Sequence, residues 1–69
     1  MKISIRQQSR ILDEAIRFNL VAPNSENSSK LWKWTESLTK ETACEIIGQI
    51  IKTQTKEEIE FIFKLYNFK

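Results

Sequence analysis

The grouped side chains able to serve as acid, base, nucleophile or metal ligand are few. They are the carboxylates Asp13/Glu14, Glu41/Glu45 and Glu57/Glu58/Glu60, and a lone thiol, Cys44. Glu41 and Glu45 stand one helical turn apart, where two carboxylates can share a metal ion. A solvated helix face has the same spacing and is the expectation here. Glu57 and Glu58 fall in the first turn of a helix, where the positive end of the macrodipole accounts for their sign. Cys44 flanks an apolar stripe with no histidine to take its proton, and so reads as a buried small hydrophobe. The chain has no histidine, one cysteine and one glycine. A histidine-based triad, a Cys/His zinc site, an internal disulfide and a glycine-rich phosphate loop are therefore excluded within one chain. The expectation is a protein that is not an enzyme and needs neither metal nor cofactor.

Cations offer a second chemistry. Arg6, Arg10 and Arg17 recur at spacings of four and seven, so one helix face carries three guanidiniums, with Lys2 near its start. Such a stripe can track phosphates, and Lys30 and Lys33 with an indole beside them would add a stacking platform. Eleven basic and nine acidic residues leave a net charge of only +2, although the first 35 residues hold six of the bases and three of the acids. Asp13 and Glu14 lie within reach of Arg10 and Arg17 at i,i+3 and i,i+4. A self-neutralised face is thus placed ahead of a nucleic-acid-binding one.

Trp32 and Trp34 are two positions apart, about 200° around a helix, so one indole should meet solvent unless the helix is sandwiched. Exposed tryptophan is enriched at binding hot spots. Leu31, Trp32, Lys33 and Trp34 are therefore the candidate protein-contact residues.

Four helices are needed to position these groups. Ser4-Ile5-Arg6-Gln7 is a capping-box spacing, and Ile11, Ala15 and Phe18, widened by Leu12 and Ile16, predict a first helix over about residues 5–19. Residues 21–29 collect Pro, Asn and Ser and read as the principal loop. A shorter helix starting near Ser28 or Ser29 sets Leu31, Trp34, Thr35 and Leu38 on one side. Thr39 caps a third helix with Ala43, Ile46, Ile47 and Ile50 in register, and Cys44, Gly48 and Ile51 beside them. Thr55-Lys56-Glu57-Glu58 is a second capping box opening a fourth helix. Its apolar residues, Ile59, Phe61, Ile62, Phe63, Leu65, Tyr66 and Phe68, spread wider than the roughly 100° stripe of a surface helix. Either that helix is central, or Phe61, Leu65 and Phe68 form a self-association face. Period-two alternation is confined to Lys2–Arg6. The fold class expected is all-α, a compact bundle of about four short helices in one domain over residues 1–69.

No run approaches 18 apolar residues, and Met1–Arg6 lacks the apolar core of a signal peptide, so no membrane partner is expected. An unpartnered thiol fits a reducing compartment, and the cytoplasm is the expected location.

Ser4-Ile5-Arg6-Gln7, followed by Leu38-Thr39-Lys40-Glu41-Thr42-Ala43-Cys44-Glu45-Ile46-Ile47, resembles a short helical module of phage and mobile-element proteins. In that module a Ser/Thr-x-x-Gln helix precedes a Leu-Thr-Lys-x-x-Ala-x-x-Ile-Ile helix. The resemblance covers residues 4–51 and is carried by capping and core positions, so no functional residue transfers. Trp32, Trp34 and the aromatic fourth helix lie outside the pattern. What the resemblance implies is a setting: an accessory protein whose target is a host or defence protein, as for a transcription modulator or an anti-CRISPR-type inhibitor. The leading expectation is a small protein-binding protein. Nucleic-acid binding through Arg6, Arg10, Arg17, Lys30 and Lys33, and homodimerisation through Phe61, Leu65 and Phe68, are the alternatives.

Overall fold

A computed structural model of the chain describes residues 1–66 and Phe68. Ser4 opens α1 (Ile5–Arg17). Its hydroxyl accepts the Gln7 N–H at 3.2 Å, and the Gln7 carbonyl oxygen accepts the Ser4 N–H at 3.0 Å, the reciprocal pair its spacing predicts. The helix stops two residues sooner than its apolar pattern suggests. Asn19 enters the left-handed region at φ 60°, the Asn19 N–H bonds the Ile16 carbonyl at 3.0 Å, and the Leu20 N–H returns to the Ala15 carbonyl at 2.8 Å. This is a Schellman closure, and asparagine takes the left-handed position with less strain than most residues. The reversal carries Val21 into the core, although the polar stretch around it reads as loop.

The second helix, α2 (Glu26–Glu36), begins two to three residues before the expected start. Ser25 is the true cap. Its hydroxyl accepts the Ser28 N–H at 3.2 Å, and the Ser28 hydroxyl oxygen accepts the Ser25 N–H at 3.0 Å. Serine thus fills the role that glutamate or glutamine usually plays three residues into a helix, which hid the signal. Thr39 caps α3 (Lys40–Ile51) as expected, accepting the Thr42 N–H at 3.1 Å. Thr55 caps α4 (Lys56–Leu65) by accepting the Glu58 N–H at 3.2 Å. The capping box expected there is only half made, because the Glu58 carboxylate turns to the Gln54 N–H at 3.4 Å.

Among the described residues there is no strand. The alternation at the N-terminus yields a single bridge between Lys2 and Thr39. Met1 and Ile3 bond Lys40 and Leu38 through their backbones at 2.8 and 3.3 Å, so this segment clips over the α2–α3 turn. The chain is an all-α bundle in which α1 lies against α2 and α3, and α4 lies against α3.

Ile11 and Ala15 of α1, Leu31 of α2, Ala43, Ile46 and Ile50 of α3, and Ile59, Ile62 and Phe63 of α4 meet in one core with Val21. Each large side chain among them supplies about 1.5–3 kcal/mol by leaving water. One polar pair is enclosed with them. The Gln8 side-chain N–H donates to the Thr35 hydroxyl at 3.0 Å, and that hydroxyl donates to the Trp32 carbonyl at 2.6 Å. Gln8 and Thr35 are both buried, so these bonds tie α1 to α2 where water cannot compete.

Candidate functional site

The two tryptophans differ in the partners they make. Trp34 faces α4. Its ring meets Phe63 edge-on at 5.4 Å between centroids and Phe68 at 5.1 Å, while Phe63 and Phe68 meet at 5.8 Å. Its indole N–H donates to the Tyr66 carbonyl at 3.1 Å. Each such aromatic pair adds about 0.5–1.5 kcal/mol beyond the area it buries. Trp34 therefore holds α4 against α2 and is not a free contact residue. Leu31 is fully buried, which corrects its assignment to a contact surface: a side chain with no exposure cannot reach a partner. Thr35 and Leu31 occupy the inner side of α2 as the periodicity predicts.

Trp32 sits on the opposite flank. It is half-buried and lines a shallow hollow with Leu12, Asn24, Ser28, Lys33 and Glu36. Among the described residues its indole N–H donates to no protein acceptor. Lys33 is exposed beside it. Of the four candidate contact residues, the fold leaves Trp32 and Lys33 available and commits Leu31 and Trp34 to the interior and the aromatic cluster.

Arg6, Arg10 and Arg17 share one flank of α1, while Lys30 and Lys33 line two different hollows. Glu14, nearly buried, holds Arg10 at 3.6 Å and Arg17 at 3.4 Å, the neutralisation its spacing predicts. Arg17 also lies over the Phe18 ring at 5.6 Å. Asp13 is exposed and, among the described residues, takes no part in these pairs. Arg6 is exposed near the start of α1. Lys30 lines a hollow with Lys64 and Glu60 on α4, whereas Lys33 belongs to the Trp32 hollow.

Of the self-association candidates, Phe61 and Leu65 stand out from α4 at 63% and 58% exposure. Phe68 turns the other way, half-buried against Trp34 and Phe63, which removes it from the proposed face. Burial of Ile59, Ile62 and Phe63, with Tyr66 and Phe68 packed partly buried against them, explains most of the over-wide apolar pattern, and Phe61 with Leu65 is the remainder.

The carboxylates and the thiol go separate ways. Glu45 approaches the Tyr66 hydroxyl at 3.5 Å, a long contact that helps link α3 to α4, and Gln49 donates to the same oxygen at 3.2 Å. Glu41 lies 3.9 Å from the N-terminal ammonium. A backbone hydrogen bond at the start of α3, then the N-terminal charge, hold its carboxyl below the usual range. Among the described residues no three metal-ligating side chains gather. Cys44 is exposed, contrary to the expected burial, because the Ala43–Ile46–Ile50 stripe faces the core and position 44 is turned about 100° from it. The hollow floored by Leu20, Val21, Phe63 and Phe68 holds about 280 Å³, just under the roughly 300–1,000 Å³ of small-molecule sites.

Tyr66, Gln8 and Thr35 had no signal in the sequence as organising residues, since their partners lie 17 to 32 residues away. Compared with protein-family models, curated proteins and solved structures, the chain matches none.

Proposed function

We propose that this protein acts by binding another protein, not by catalysis, and that Trp32 with Lys33 forms the centre of the contact. The observation that carries the reading is the contrast between the two tryptophans. Trp34 has its ring and its N–H satisfied within the chain, whereas half-buried Trp32 lines an open hollow beside an exposed cation and its indole N–H has no acceptor among the described residues. A large ring with a polar tip is the side chain most enriched where binding energy concentrates, because it buries much area while losing little rotamer freedom. The placing of Lys30 and Lys33 in two different hollows and the pairing of two arginines with Glu14 favour this reading over phosphate tracking. A host or defence protein as target, in a phage or mobile-element setting, belongs to the same proposal and rests on the resemblance of residues 4–51. A cytoplasmic location rests on the exposed free thiol of Cys44.

The test uses the whole chain as bait with Trp32→Ala and Lys33→Glu, each checked for native helicity by circular dichroism. Both variants should lose the captured protein. Undiminished capture by the two folded variants refutes the assignment.

A further inference from the structure

The outer face of α4 is its own complement. At 100° per residue, Phe61 points directly away from Ile59 and Phe63, which the core covers. Glu57 and Lys64 lie on one flank of Phe61, and Glu58 and Leu65 lie on the other. All five are exposed. The acids sit one turn before Phe61 and the base one turn after it. Among the described residues neither Glu57 nor Lys64 makes an ion pair within the chain.

We infer that this face pairs with a second copy of the same chain, α4 against α4, antiparallel about a two-fold axis at Phe61. That operation keeps each flank on its own side and reverses the helix direction. Phe61 then meets Phe61 of the other copy, Glu57 of each copy meets Lys64 of the other, and Leu65 packs on the stem of Glu58. The ion pair forms twice, as an isologous interface requires. Antiparallel packing also places opposite helix-dipole ends together. A parallel pairing in the same register would exchange the flanks, setting Glu57 near Glu58 of the other copy and Lys64 near its Leu65, so acid would meet acid and the base would have no carboxylate opposite. The inference is independent of the role given to Trp32.

Two apolar side chains and the stems around them fall well short of the roughly 800 Å² per partner of a standard interface. The dimer is accordingly weak, with a Kd on the order of 100 μM, and its population follows concentration. Sedimentation velocity from about 10 μM to 1 mM should show the average mass rising from 8.2 kDa toward twice that value. Phe61→Ala should keep the chain monomeric throughout. Glu57→Lys and Lys64→Glu should each weaken the dimer roughly 3- to 10-fold, since each reverses an exposed pair twice. The double variant Glu57→Lys/Lys64→Glu restores opposite charges across the axis and should recover the original Kd. These positions are exposed but sit in the first and last turns of α4, so circular dichroism of each variant checks that the helix is kept before its association is read. A monomer at 1 mM overturns the inference, as does association indifferent to Phe61→Ala. Failure of the charge exchange to restore affinity overturns the antiparallel arrangement.

Discussion

Replacing Thr35 by valine removes one oxygen and almost no volume. That oxygen serves two bonds, accepting from the Gln8 side chain at 3.0 Å and donating to the Trp32 carbonyl at 2.6 Å. Gln8 is only 6% exposed, so its amide N–H would be left without an acceptor and largely without water. Stranding a buried donor costs about 1–3 kcal/mol, against about 0.5–1.5 kcal/mol for losing an ordinary hydrogen bond. Thr35→Val should therefore destabilise by about 2 kcal/mol. Gln8→Met should cost about 1 kcal/mol, because Thr35 keeps its bond to the Trp32 carbonyl. The double variant strands no donor and should cost about 1 kcal/mol, well below the sum of the single changes. A chain of this length has roughly 3–10 kcal/mol in total, so Thr35→Val alone removes a large share. Each kcal/mol is worth about 4–8 °C in Tm at this size. Thermal and urea unfolding followed by far-ultraviolet circular dichroism would measure all four corners of the cycle. Independent sites add to within about 0.3–0.5 kcal/mol. Additivity of Gln8→Met and Thr35→Val within that margin would refute the claim that the pair is a closed, water-excluded link.

Gly48 is exposed in the interior of α3, has no positive φ, and a Cβ placed on it would meet nothing within 4 Å. Gly48→Ala should stabilise the chain by about 1 kcal/mol through backbone entropy alone, read as a rise in Tm; an unchanged or lower Tm refutes this. Glu41 gives a pH signature. Its folded carboxyl lies below the ordinary value of 4.5, so the stability it contributes is complete above that value and is lost as pH falls through the lower folded one. Glu41→Gln should be less stable than the native chain at neutral pH and should converge with it in strong acid. A gap that persists unchanged to low pH would refute the assignment.

The local signals were legible along the chain. Ser4, Thr39 and Thr55 are caps because a hydroxyl two or three residues before a free N–H has few better partners, and the periods of Ile11–Ala15 and Ala43–Ile46–Ile50 name the inner faces. Those features depend on neighbours in the chain, and so they were legible. The pairing of Glu14 with Arg10 and Arg17 was legible for the same reason. Packing settles what depends on distant neighbours. It chose which tryptophan is structural, since only packing brings Phe63, Tyr66 and Phe68 to Trp34. It exposed Cys44, buried Val21, and divided the fourth helix's apolar residues between the core and an outward Phe61–Leu65 face. Periodicity gives the angle of a side chain about its own helix, whereas the angle at which the next helix arrives is set by the mutual fit of both surfaces.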